Sequence, residues 1–185
     1  MKFFFIFRKM ITASGISCFL ITKGVAAVAA TPAPKHPVLT TAGVVHVCPD
    51  NKIALIERGK APAGLAMFGG HVEEESPVSA FKREASEELG ITQIENLRLI
   101  GVHGELGRDP RQHSVEITFT CTTAQNPVAG SDAKKTILYT PEELKKALTT
   151  QNFAFDHQAI LKNYLQDLGA CDPCKKQCKV GIVQP

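Results

Sequence analysis

The chain has 185 residues, 44% hydrophobic and 21% charged, with 21 basic and 18 acidic side chains. That is a globular composition, long enough for one domain with a buried core, and it excludes a disordered chain. Four of the basic residues and no acid lie in residues 1–30, leaving 17 basic against 18 acidic side chains and no basic excess that argues for nucleic acid.

The first segment, MKFFFIFRKMITASGISCFLITKGVAAVAA, sets Lys2, Arg8 and Lys9 ahead of an apolar run ending at Ala27-Val28-Ala29. This order is expected of a secretory signal peptide over residues 1–30, with a linker over 31–36. It implies a periplasmic or secreted protein. A leader on a cytoplasmic protein is the alternative, because Phe3 to Phe7 precede Arg8 and Lys23 interrupts the run. No uninterrupted apolar stretch reaches the ~20 residues of a spanning helix, so no permanent membrane span is expected.

Beyond the linker, Leu39 to Cys48 is rich in β-branched residues and ends at the turn signal Pro49-Asp50-Asn51. Ile53 to Arg58 reads as its hairpin partner. Leu65 to Phe68 is a short strand before Gly69-Gly70. Pro77 opens a helix over Val78 to Leu89, closed by Gly90. Leu97 to His103, Ser114 to Thr122 and Thr136 to Tyr139 read as strands. Pro141 to Leu148 and Asp156 to Leu168 read as helices. Strands and helices interleave irregularly, so the expected fold class is α/β, with a mixed sheet packed by helices.

The segment Gly69 to Ile91, GGHVEEESPVSAFKREASEELGI, holds six glutamates in 23 residues. Glu84, Glu87 and Glu88 stand at helical i, i+3, i+4 and share one side, beside the apolar Val78, Phe81, Ala85 and Leu89. Two unit charges ~4 Å apart repel by roughly 1 kcal/mol in water, and by more in a cleft. A divalent cation with oxygen ligands resolves that crowding, and Mg²⁺ keeps positions open for substrate phosphates. An acidic solvated helix face is the alternative.

The spacing Gly69-x5-Glu75-x7-Arg83-Glu84-Ala85-x-Glu87-Glu88-x-Gly90-Ile91 resembles the signature of the Nudix hydrolases. The resemblance implies an α/β/α sandwich with a mixed β-sheet and a Mg²⁺ or Mn²⁺ cofactor. It implies Glu84, Glu87, Glu88, the Gly69 carbonyl and Glu75 as metal ligands. Glu84, Glu87 and Arg83 are the implied catalytic group, with Arg83 orienting a glutamate. Glu84 is the candidate base, with Glu75 and Glu105 as alternatives. The family cleaves nucleoside diphosphates linked to another moiety.

Three further segments, IALIERGKAPAGLAMFGGHVE, GRDPRQH and FAFDHQAIL, resemble the ADP-ribose pyrophosphatase-like branch, so the resemblance covers residues 37–168. It implies ADP-ribose or a related nucleotide sugar as the small-molecule substrate, cleaved to AMP and a sugar phosphate. Arg58, Arg108, Arg111 and His113 are the implied substrate-binding groups, although Arg108 and Arg111 suit loop-structuring ion pairs equally well. Leu106 stands where that branch commonly has proline, and Lys135 where it often has an acid. The alternatives are hydrolysis of nucleoside triphosphates and a non-catalytic nucleotide sensor. Members of the family often dimerise, which makes a homodimer an expectation.

Residues 169–185 form a tail carrying Cys171, Cys174 and Cys178. A disulfide tying down the tail is expected in an oxidising compartment. A zinc site would lack a fourth ligand nearby, and free thiols on a solvated tail remain the other alternative. Five cysteines remain once Cys18 leaves with the leader, so at least one stays unpaired in a monomer.

Overall fold

The computed structural model describes residues 36–130 and 133–179. The expected leader, residues 1–30, and linker residues 31–35 lie outside the described residues. The elements run β1 (Val38–Val47), β2 (Lys52–Arg58), β3 (Leu65–Ala66), β4 (Phe68–His71), α1 (Pro77–Leu89), β5 (Glu95–His103), β6 (Ser114–Thr123), β7 (Ala133–Tyr139), α2 (Pro141–Thr150) and α3 (His157–Leu168). No described helix is long and apolar enough to cross a membrane.

These strands form one mixed seven-stranded sheet in the order β3-β2-β1-β6-β5, with β4 added to β1 and β7 to β2. The hairpin expected after Pro49 is present, with Val45 opposite Ala54. β1 is parallel to β6, from Val38 opposite Ser114 to Val47 opposite Thr123. β4 pairs antiparallel with the first half of β1, Ala42 opposite Gly69. The start of α1 is therefore held beside the centre of the sheet.

Alternation along β1 divides the core into two layers. Ala42 and Val44 face α2 and α3, packing with Leu144, Leu161 and Leu165. Val45 and Val47 face α1, packing with Phe81, Ala85 and Leu89. Fully burying a side chain such as Phe81 or Leu89 contributes about 1.5–3 kcal/mol, which fixes the face α1 presents. Phe81 also meets Phe68 and Phe119 edge-on, at 5.0 and 5.3 Å between centroids. The result is an α/β/α sandwich, as the sequence implies.

The burial of His46 and the partners of the tail cysteines escape sequence pattern, although a disulfide on the tail is expected from it. His46 on β1 is fully buried, its ring nitrogens 2.6 Å from Asn51 Oδ1 and 2.7 Å from Tyr164 Oη. Burial lowers its pKa, with Asn51 opposing. The tail is stapled to the domain by Cys48–Cys174 and closed on itself by Cys171–Cys178. Cys178 thereby joins the α2/α3 side of the core. Cys121 is the free cysteine among the described residues, and its burial pushes the thiol up to about 12.

Candidate active site

Ser76 caps α1 by accepting the Ser79 N–H at 3.1 Å, Pro77 begins it, and Gly90 ends it at φ 65°. The segment after β6 then folds back over the helix end. Val128 N–H donates to the Leu89 carbonyl at 2.8 Å and Gly130 N–H to the Glu88 carbonyl at 3.0 Å. Both ends of the acidic helix are thus fixed.

β4 lies directly against its carboxylates. The Gly69 N–H donates to Glu88 Oε2 at 2.9 Å. Gly69 has φ 153°, and a Cβ there would overlap the Thr41 carbonyl. A Cβ on Gly70 would overlap the Glu84 carboxylate. Only a chain without side chains at both positions can approach this closely.

Arg83 ties the same groups together. It donates to Glu84 Oε1 at 2.6 Å, to Glu75 Oε1 at 2.9 Å and to the His71 carbonyl at 2.9 Å, and stands 3.7 Å from Glu87 Oε2. Its hydrogen bond to Glu84 is the largest influence raising its pKa; burial opposes, and Glu75 adds to the rise. Glu84 is buried, whereas the Glu87 side chain is 57% exposed.

Glu84, Glu87 and Glu88 line one cleft of about 490 Å³, together with Arg58, Arg83, Arg108, Arg111, Phe155 and His157. Among the described residues, no three His, Cys, Asp or Glu side chains stand close enough to form a metal cage by themselves. The reason is visible in the bonding: Arg83 holds Glu84 while β4 holds Glu88. The donors are nonetheless all hard oxygens facing an open cleft. That fits Mg²⁺, which binds through one or two carboxylates and completes its shell with water and phosphate oxygens.

A buried charge network also lines the cleft. Arg108 grips Asp156 with two nitrogens, at 3.0 and 2.7 Å, and also meets Glu116 at 3.1 Å and Ser114 at 3.1 Å. Its side chain is 3% exposed. Arg108 lines the cleft and spends these donors on carboxylates of the protein, the ion-pair arrangement that the sequence leaves open beside substrate binding. His157 accepts the Met67 N–H on Nδ1 at 3.1 Å, so its hydrogen sits on Nε2, 3.3 Å from Glu116 Oε2. Burial pushes the Glu116 carboxyl up, but His157 and Arg108 outweigh it and hold it at about 2.

Other expected residues fall outside the cleft. His113 turns its Nε2 to the Gly104 carbonyl at 3.0 Å and does not line the cleft. Glu75 is held by Arg83, and Glu105 is exposed on the β5–β6 loop. Neither lines the cleft. Lys135 on β7 stands opposite Glu57 of β2 in the strand register, also away from it. Glu116 and Phe155 were not among the residues expected from sequence. Glu116 is the one carboxylate on the polar phase of SVEITFTC, alongside Ser114, Thr118 and Thr120, and that was its readable sign. Phe155 had no such sign.

Residues 38–162 match the family model described as the NUDIX domain. The ADP-ribose pyrophosphatase of Methanocaldococcus jannaschii is 35% identical over 136 residues, covering 71% of this chain and 75% of that protein. A MutT/nudix family protein from Enterococcus faecalis superposes with a TM-score of 0.63 at 27% identity, over 78% of this chain and 68% of that one. The NUDIX domain of Shewanella oneidensis NrtR, solved in complex with ADP ribose, gives 0.61 at 22% identity, over 69% and 86%. That last likeness is one of fold.

Proposed function

The chain belongs to the NUDIX domain family and is a Nudix hydrolase, and on that premise we propose that it is a Mg²⁺- or Mn²⁺-dependent pyrophosphohydrolase. Its substrate is ADP-ribose or a related nucleotide sugar, cleaved to AMP and a sugar phosphate. The observation that carries this reading is that one cleft is lined both by the α1 carboxylates and by Arg58, Arg111 and Phe155. The relative named ADP-ribose pyrophosphatase supports the choice of substrate.

Glu84, Glu87, Glu88 and the Gly69 carbonyl would hold the cation. Such an ion draws charge off phosphate oxygens and makes a nearby water more acidic. Arg83 fixes the Glu84 carboxylate by binding Oε1, which leaves Oε2 to accept the proton of the attacking water. The water oxygen bonds to phosphorus, and the bridging P–O bond breaks toward the leaving phosphate. The buried Arg108–Asp156–Glu116–His157 network keeps its part of the cleft in place, and His157 joins it to Met67 just ahead of β4.

Incubating the purified protein with Mg²⁺ or Mn²⁺ and a panel of nucleotide sugars and nucleoside triphosphates tests this. AMP and ribose 5-phosphate from ADP-ribose are expected, and no metal-dependent turnover of any diphosphate would overturn it. Turnover of triphosphates alone would assign nucleotide-pool cleaning instead, and calorimetric binding of unchanged ADP-ribose would assign a sensor.

We propose further that the protein is periplasmic or secreted. Two disulfides support this, since such bonds persist in oxidising compartments. Fractionation of cells expressing the full chain, followed by blotting, checks it. Recovery solely with the cytoplasm would refute export.

A further inference from the structure

Arg111 lines the cleft with its guanidinium anchored along one edge. Its Nε lies 2.9 Å from Asp109 Oδ1 and its Nη2 lies 2.7 Å from Oδ2, so two of three guanidinium nitrogens are already bound. Its backbone N–H also donates to Asp109 Oδ1, at 3.0 Å. The Asp109 side chain is 4% exposed and the Arg111 side chain 46%. The anchor is therefore rigid while the guanidinium stays open to the cleft.

Behind the guanidinium stands Phe155, with its ring centroid 5.1 Å away. Arg58 stands 4.8 Å from the same ring. Phe155 has φ 58°, a conformation that bulky residues rarely adopt. Its neighbours hold it there, because Arg108 grips Asp156 and Met67 binds His157. A strained aromatic, backing a cation whose edge is locked, is a built surface.

We propose that the Arg111 guanidinium, backed by Phe155, is the shelf on which the nucleobase of the substrate stacks. This rests on the nucleotide reading of the site and gives that reading an orientation: base on Arg111, phosphates toward α1. Asp109 holds the Nε–Nη2 edge and so fixes the plane of the guanidinium, and a neutral aromatic base needs only that plane. A positively charged shelf attracts the electron-rich face of a neutral purine and repels a cationic ring. In a dinucleotide carrying one base of each kind, the neutral base is the one seated here.

The chain has no tryptophan, so the fluorescence of etheno-AMP reports stacking against a low background. Wild type should bind and quench it. Arg111→Lys keeps the charge without the plane, and Arg111→Ala removes both. Each should bind at least about fivefold more weakly with the quench lost, and ribose 5-phosphate, titrated in parallel by calorimetry, should bind all three proteins alike. Unchanged melting temperatures would confirm that both variants fold. Equal quenching by all three proteins, no binding by wild type, or an equal loss for ribose 5-phosphate would overturn the shelf. Should wild type bind etheno-AMP through Arg111 yet leave ADP-ribose intact, the proposed activity fails and the shelf stands. Should ADP-ribose be hydrolysed with an unchanged KM in Arg111→Lys, the reverse holds.

Discussion

The backbone N–H of Gly69 and the carboxylate of Glu88 are joined at 2.9 Å, which docks β4 onto α1 across 19 residues of sequence. The neighbouring Gly70 is packed against Glu84 in the same way. Gly70→Ala is therefore expected to displace the Glu84 carboxylate while leaving the hydrophobic core intact. A displacement of that kind costs on the order of 100-fold in turnover, read as kcat with Mg²⁺ alongside a thermal melt. A kcat equal to wild type would show that Glu84 needs no fixed position.

Glu87 is half-exposed and lies 3.7 Å from Arg83. Glu87→Gln keeps its shape and removes one of three crowded charges. We expect stability to hold or rise by a few tenths of a kcal/mol. Activity should fall on the order of 100-fold, with weaker Mn²⁺ uptake by calorimetry, if the side chain is a cation ligand. Full Mn²⁺ affinity in this variant would remove Glu87 from the ligand set.

Glu116 shares its Oε2 with Arg108 and His157 inside the protein. Glu116→Ala leaves the Arg108 charge with one carboxylate partner fewer, and breaking a buried pair of this kind costs about 3–5 kcal/mol. A drop in melting temperature on the order of 10 °C follows for a domain of this size.

The same carboxyl gives a pH signature. Its pKa falls on folding from 4.5 to about 2. Its stabilisation is thus present above pH 4.5 and is lost as pH falls toward 2. Glu116→Gln should flatten the pH dependence of melting in that window. An unaltered acid profile would mean that other carboxylates carry it.

Cys48 and Cys174 are 126 residues apart. Loop-closure entropy makes such a crosslink worth about 4–5 kcal/mol in the chain-entropy model. Cys48→Ser with Cys174→Ser should lower the melting temperature by about 10 °C, and reductant should lower that of wild type similarly. Equal melting with and without reductant would show that the staple is dispensable.

Local chemistry was legible in the sequence because it is written locally. Ser76, Pro77 and Gly90 mark the ends of α1, and the spacing of Glu84, Glu87 and Glu88 fixes their shared face. The positions of β1, β2, β5, β6 and β7 followed from β-branched runs, to within a few residues, whereas β4, with the sequence FGGH, has no such run and was read as the segment after a single strand over Leu65 to Phe68. What stayed hidden was decided by distance. Nothing in GRDPRQH says that Arg108 will meet Asp156, 48 positions on, and so spend two of its donors within the protein. His113 looked equivalent to Arg111 in the same loop, yet the turn carries its ring to Gly104. The partner of Cys174 lay at the far end of β1, beyond any spacing rule.

The parallel ladder between β1 and β6 sets a timetable. Thr41 bonds Ile117, 76 positions downstream, so the central strand cannot complete its pairing until that length of chain has been made. At ~5–20 residues per second of synthesis, one apolar edge waits roughly 4–15 s for its neighbour. The acidic helix emerges inside that interval, before the strand that anchors the charge network. Completion of the cleft therefore belongs to the last stage of assembly, and a nascent chain interrupted before Ser114 should bind no nucleotide.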